Sequence, residues 1–146
     1  MSASLRLARP EDTERVRRLV AACHEEAGLL PDPEARDAAL QALLSGEVPG
    51  ALYLIGPASS PLGYASLSFG HSLQAGGTEA HLEDLYIRPG IRGRGMGTEA
   101  LTALAKMLGK NGVSRITTSG LRTGTSLLHR LSADPDRAPR LTLRLR

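Results

Sequence analysis

Residues 92–97 read Arg-Gly-Arg-Gly-Met-Gly, three alternate glycines interleaved with two guanidinium groups. The β-prone run Leu85-Tyr86-Ile87 leads toward them and breaks at Pro89-Gly90. A helical pattern opens directly afterwards with Thr98, Glu99, Ala100 and Leu101. A strand that passes through such a turn into a helix gathers the helix's free first-turn N–H groups at one spot, where the helix dipole favours an anion. Glycine lets that anion approach the backbone closely, and Arg92 and Arg94 bring charge suited to phosphate. The expectation is a pyrophosphate cradle formed by Arg92, Gly93, Arg94, Gly95, Met96, Gly97 and Thr98. A Walker A loop is excluded, because no Gly-Lys-Ser/Thr follows the glycines. A dinucleotide fingerprint needs Gly-x-Gly-x-x-Gly and a carboxylate about 20 residues further on. Here the spacing is Gly-x-Gly-x-Gly, and no acidic residue lies between Glu99 and Asp134.

The second chemical feature is the acidic pair Glu83-Asp84. Around it the apolar pattern changes phase, since Ala80 and Leu82 share one side of the pleat while Leu85 and Ile87 take the other. A strand whose apolar face switches phase needs an extra residue, so a β-bulge is expected near Glu83-Asp84. A strand buried on both faces is the alternative. At such a bulge Glu83 could take a proton through a water as a general base, or serve as a structural or substrate-anchoring carboxylate. Strand alternation sends the adjacent Asp84 the opposite way. His24, His71 and His81 read as surface or loop residues, and Cys23, spaced helically with Leu19 and Val20, as core. No His/Cys/carboxylate cluster has the spacing of a metal site.

These residues need elements to hold them. Residues 5–8 alternate as a short strand ended by Pro10. Asp12 or Thr13 can cap a helix carrying Val16, Leu19, Val20, Cys23 and Ala27 at helical spacing, with Gly28 as its stop. Pro33 suits the first turn of a second helix that closes before Gly46. Strands over 51–55, 63–69 and 78–88 follow with turns but no helices between them, which makes an antiparallel meander. A helix over 97–109, stopped at Gly109 and Asn111-Gly112, and a strand over 113–119 complete a βαβ unit. The predicted class is α/β, a mixed and mostly antiparallel sheet flanked by helices.

A chain of 146 residues suits one domain, here residues 1–146. Apolar content of 41% and charged content of 23% are ordinary for a globular chain. No apolar run approaches the ~20 residues of a membrane span, and the N-terminus lacks an apolar signal core. A single cysteine excludes an internal disulfide and fits a reducing cytoplasm. Charge is split along the chain: residues 1–87 carry a net −6 and residues 88–146 a net +9, so an anionic partner is expected on the C-terminal half. A nucleic-acid-binding module is the weakest candidate. The basic half has no aromatic residue to stack bases, and its arginines are scattered.

The segment Arg92-Gly93-Arg94-Gly95-Met96-Gly97 resembles the Arg/Gln-x-x-Gly-x-Gly/Ala motif of the GNAT superfamily of acyl-CoA-dependent N-acyltransferases. Leu82-Glu83-Asp84-Leu85-Tyr86-Ile87-Arg88-Pro89 is similar to the strand that leads into that motif, above all in the diamine and polyamine acetyltransferase branch. In element order the resemblance spans residues 5–120. It implies acetyl-CoA as cosubstrate, with no metal, and its pyrophosphate on residues 92–98. The bulge would then splay its strand from the next and open a slot for pantetheine beside Leu85, Tyr86 and Ile87, with an N–H of Tyr86 or Ile87 polarising the thioester carbonyl. It also implies direct transfer, in a ternary complex, to a primary amine of a small cationic molecule, with an acidic residue at the Glu83 position. The helix pair near the N-terminus would border the acceptor pocket.

The C-terminal end departs from that pattern. Counting from the glycine motif puts Gly124 where members often carry Asn, and Leu131 where they carry a tyrosine that protonates the leaving thiolate. His129 is the nearest substitute that could donate a proton near neutral pH, with Ser132 beside it. Residues 121–146 hold one alternating strand, 141–146, where the family commonly has two, so the sheet is curtailed or a second copy in a homodimer completes it. An acyl-CoA-binding protein of the same fold with little catalysis is the alternative reading.

Overall fold

The computed structural model describes residues 3–118 and 143–144. Its chain order is β1 (Leu5–Leu7), α1 (Thr13–Glu26), α2 (Pro33–Ser45), β2 (Gly50–Ile55), β3 (Gly63–Ser72), β4 (Gly77–Ile87), α3 (Met96–Lys110) and β5 (Val113–Thr118). The strands form one sheet in the order β1-β2-β3-β4-β5. The first three pairings are antiparallel and β4 with β5 is parallel. This is the mixed, mostly antiparallel sheet expected, flanked by helices on its two faces. Among the described residues no helix is long and apolar enough to cross a membrane.

Period-2 alternation divides the sheet into two apolar faces. Leu52 and Leu54 of β2, Tyr64 of β3 and Tyr86 of β4 pack with Val16, Leu19 and Val20 of α1 and Leu40 and Leu44 of α2. On the opposite face Ala65, Leu67, Ala80 and Leu82 meet Leu101, Leu104 and Leu108 of α3. Ile55 and Ile87 continue that face onto Met96 and Ala100, in the first turns of α3. A fully buried leucine contributes about 2 kcal/mol, and these two layers fix where the ends of α1 and α3 lie.

Local signals set the helix limits with two differences from expectation. Asp12 does stand at the N-cap of α1, but its carboxylate makes no cap bond. It turns back instead to the Arg6 guanidinium (3.0 and 2.9 Å) and the Arg9 N–H (2.9 Å), which pins β1 to the start of α1. Helix α3 begins at Met96 and runs through Gly109 to Lys110, so that glycine does not stop it. The Asn111 side chain instead donates to Met107 O, and Gly112 turns the chain at φ 85°. Helix α2 starts and ends as its sequence implies, capped by Asp32 on Ala35 N at 2.9 Å and closed by Gly46 at φ 81°.

Candidate active site

The β3–β4 register slips at one point. Ser66 pairs with Asp84 but Leu67 pairs with Leu82, which leaves Glu83 as the extra residue. The bulge therefore lies where the phase change puts it, and the strand is not simply buried on both faces. Pairing with β5 runs from Thr78 to Leu82↔Thr118.

The bulge overturns one expectation. Alternation puts Asp84 on the face opposite Glu83, but an inserted residue cancels one step of alternation. Asp84 shares the α1 face with its partner Ser66. It accepts from the Tyr64 hydroxyl at 2.7 Å and lies 2.9 Å from His24 Nε2 of α1, both on the same oxygen, Oδ2. Its own N–H donates to Ser66 Oγ at 3.1 Å. His24 is thus no surface residue, since its side chain is 13% exposed and its buried Nδ1 has no hydrogen-bond partner among the described residues. An ionised carboxylate only accepts, so this contact requires the proton on Nε2. Glu83 keeps an exposed surface, yet surrounding protein atoms desolvate its carboxyl and hold its pKa above the usual carboxylate value. The adjacent Asp84 charge adds to that rise and His24 opposes it.

Beneath this cluster Tyr64 is completely buried. Burial, and then the Asp84 charge, push its phenol far above the ordinary range. Cys23 is free and lies against it, with its thiol raised by desolvation to about 11. That is a packed thiol and not a nucleophile, in line with its core reading.

The other half of the site is the turn into α3. Gly93 and Gly95 adopt φ 80° and 76°, and a Cβ on either would meet nothing within 4 Å. Their left-handed backbone requires glycine, and the space outside them is open. The first bond of the helix ladder here is Glu99 N–H to Gly95 O at 2.9 Å. The N–H groups of Met96, Gly97 and Thr98 precede it and have no intrahelical acceptor. Arg94 is exposed at the turn. Arg92 is engaged elsewhere: its guanidinium forms a two-pronged pair with Glu26 at the end of α1, Nη2 at 2.6 Å from Oε2. Its Nε donates to Ile87 O at 2.7 Å, and it stacks 5.4 Å from the Tyr86 ring centre. Along β4 the Arg88 N–H turns to Leu62 O at 2.9 Å. In an antiparallel ladder Tyr86 shares that direction, so the N–H groups of Leu85 and Ile87 face away from β3.

A bulged strand with a desolvated carboxylate thus leads into a helix N-terminus whose first-turn amides have no intrahelical acceptor. The profile of the Acetyltransferase (GNAT) family matches residues 13–127. The chain belongs to the GNAT acetyltransferase family. Solved structures of similar fold match over most of the chain's length. An integron cassette protein from the mobile metagenome of Cole Harbour Salt Marsh is 27% identical, with TM-score 0.84 over 97% of this chain and 90% of that one. A probable acetyltransferase is 18% identical, with TM-score 0.82 over 98% of both chains. A Clostridium acetobutylicum protein solved with acetyl-CoA, described as an acetyltransferase, is 15% identical, with TM-score 0.77 over 95% of both. No curated protein matches the sequence significantly.

Within this GNAT chain the structure brings Glu83, Leu85, Tyr86, Ile87 and the 92–98 turn into one continuous segment. The candidate proton donor His129, with Gly124, Leu131 and Ser132, lies outside the described residues, as does the strand over 141–146 apart from Leu143 and Arg144. Sequence reasoning missed His24, Tyr64 and Asp84 as a unit. The one signal for them was the bulge itself, which, followed through, puts Asp84 on the α1 face. Among the described residues no three His, Cys, Asp or Glu side chains group as a metal site would need.

Proposed function

We propose that the chain transfers an acetyl group from acetyl-CoA to a primary amine of a small, cationic molecule, by direct transfer in a ternary complex. One observation carries the reading. A turn with two left-handed glycines, open space outside both, and first-turn amides with no intrahelical acceptor follows a strand that is bulged at a desolvated glutamate. The amides of residues 93–98 would hold the diphosphate, with Arg94 adding charge at the rim. Acetyl-CoA when bound supplies the activated acetyl thioester.

The chain's own residues do the rest. Leu85, Tyr86 and Ile87 would lie beside the pantetheine arm, and an outward N–H, that of Leu85 or Ile87, would polarise the carbonyl. Glu83 takes the proton of the acceptor ammonium through a water and frees the amine lone pair. As the new C–N bond forms and the C–S bond breaks, the nitrogen sheds its surplus proton to water and the leaving sulfur takes one, for which His129 is the candidate donor. The acid-rich N-terminal half, net −6 over residues 1–87, favours a cationic acceptor, as in the polyamine branch that the 82–89 segment resembles.

Thiol release with acetyl-CoA, measured across polyamines, aminoglycosides, amino acids and peptide N-termini, tests the proposal. Turnover with a small polycationic amine is the expected result. Tight acetyl-CoA binding with no turnover on any acceptor would favour the acyl-CoA-binding alternative. Absence of binding heat would end both.

A further inference from the structure

The last turn of α1 touches β4 and the segment after it at two separated points. His24 Nε2 donates to Asp84 Oδ2 at 2.9 Å, beside the bulge. Two residues further along α1, Glu26 grips Arg92, one residue before the first left-handed glycine. Arg92 in turn holds Ile87 O at 2.7 Å and covers the Tyr86 ring, so the end of β4 is tied into the same contact. Between the two points lies the whole segment that must keep Glu83 at a fixed distance from the diphosphate amides. The β3 ladder holds Asp84–Ile87 on one side, but a bulge at Glu83 and a one-turn helix over Pro89–Ile91 interrupt regular structure between the carboxylate and the glycines. The two contacts brace that segment from the α1 side.

We propose that His24 and Glu26 form a two-point clamp, a pair of positioning residues that act through Asp84 and Arg92 to hold the proton-accepting Glu83 in register with the glycine turn. The inference rests on the acyl-transfer reading above. It assigns Arg92 to α1 instead of to phosphate. The chemistry of each contact suits a clamp. A two-pronged guanidinium–carboxylate pair fixes direction as well as distance. The imidazole ring is rigid, and among the described residues it engages the polar site through Nε2, its buried Nδ1 having no partner there. Tyr64 holds the same Asp84 oxygen from β3, which leaves the carboxylate little freedom to turn.

The test compares His24→Leu, His24→Gln and Glu26→Gln in the full chain. A glutamine amide can reach Asp84 as Nε2 does; leucine cannot. With acetyl-CoA and a responsive amine, His24→Leu is expected to lower kcat at least tenfold while the acetyl-CoA Kd stays within threefold. His24→Gln is expected to recover kcat to within threefold of the unmodified protein. Glu26→Gln is expected to lower kcat and also weaken acetyl-CoA. In the protein without ligand, His24→Leu should move the amide resonances of Glu83–Ile87, and Glu26→Gln those of residues 91–98. A kcat for His24→Leu within twofold of the unmodified protein overturns the clamp, as does His24→Gln failing like leucine while folded. Resonances that do not move overturn it without recourse to activity. No turnover by the unmodified protein would overturn the acyl-transfer reading instead, and with it the positioning role.

Discussion

The Tyr64 hydroxyl donates to Asp84 Oδ2 across 2.7 Å, from a side chain with no exposed surface. Phenylalanine would keep the ring's volume among Leu52, Leu54 and Tyr86 and delete only the donor. Asp84 would keep His24 on that oxygen but lose a charge-assisted bond in a nearly dry setting. Tyr64→Phe is therefore expected to cost about 2 kcal/mol, seen as a lower urea midpoint at unchanged slope. An unchanged midpoint would mean that the hydroxyl adds nothing to stability.

That contact also shows what the sequence could and could not reveal. The strand–turn–helix order, the glycine positions and the bulge were all legible, because each follows from neighbours a few residues apart. The contacts of Asp84 were not. His24 lies 60 positions away and Tyr64 20, and no local pattern pairs them. Arg92 was legible as a guanidinium at a phosphate turn, yet Glu26, 66 positions upstream, takes it. Local spacing sets conformation, whereas tertiary packing decides which charges meet.

The proposed base role of Glu83 requires its ionised form, and burial with the adjacent Asp84 charge raises its pKa. Activity should therefore fall as pH drops, with an acid limb above the ordinary carboxylate range. Asp84→Asn removes the neighbouring charge and should move that limb to lower pH. Glu83→Gln should cut kcat by roughly a hundredfold with acetyl-CoA binding nearly intact. A pH–rate profile and calorimetry on the three proteins check this. Unchanged turnover in Glu83→Gln would reduce Glu83 to a structural carboxylate.

Gly93 and Gly95 separate backbone need from binding. Alanine at either costs about 1–2 kcal/mol, because φ stays positive. Its Cβ meets no protein atom within 4 Å, so the methyl group would enter the space proposed for the diphosphate. Gly46, at φ 81° with equally open surroundings, supplies the control at the end of α2. All three alanine variants should lose similar stability, but only those at 93 and 95 should weaken acetyl-CoA, by tenfold or more in calorimetry. Equal affinities across the set would remove the phosphate assignment.

Asp12 links pH to stability through a contact outside the site. Its carboxylate is pulled below the usual range first by the Arg6 hydrogen bonds and then by the Arg9 N–H, against the cost of burial. A depressed folded-state pKa means that the stabilisation is complete above the unfolded-state value and is lost as pH falls through the folded-state value. Asp12→Asn should cost about 1–2 kcal/mol at neutral pH, given that Arg6 is partly exposed. It should also flatten the decline of stability on the acid side. Urea midpoints from neutral to acidic pH read both effects, and parallel curves for the two proteins would contradict the assignment.

Gly63 shows how closely β3 must run beneath the proposed slot. A Cβ there would sit 1.9 Å from Tyr86 O and 2.9 Å from its carbonyl carbon. Both are backbone atoms and cannot swing aside as a side-chain tip would. Gly63→Ala must therefore push β3 from β4 at Tyr86–Ile87, with an overpacking cost of about 2 kcal/mol or more. The displaced stretch carries the outward N–H groups of Leu85 and Ile87, so acetyl-CoA affinity should fall together with Tm. Gly70 lies further along the same strand with nothing within 4 Å of a built Cβ, and alanine there should leave both quantities unchanged. If Gly63→Ala lost stability yet bound acetyl-CoA normally, the strand's end would have no part in holding the cosubstrate.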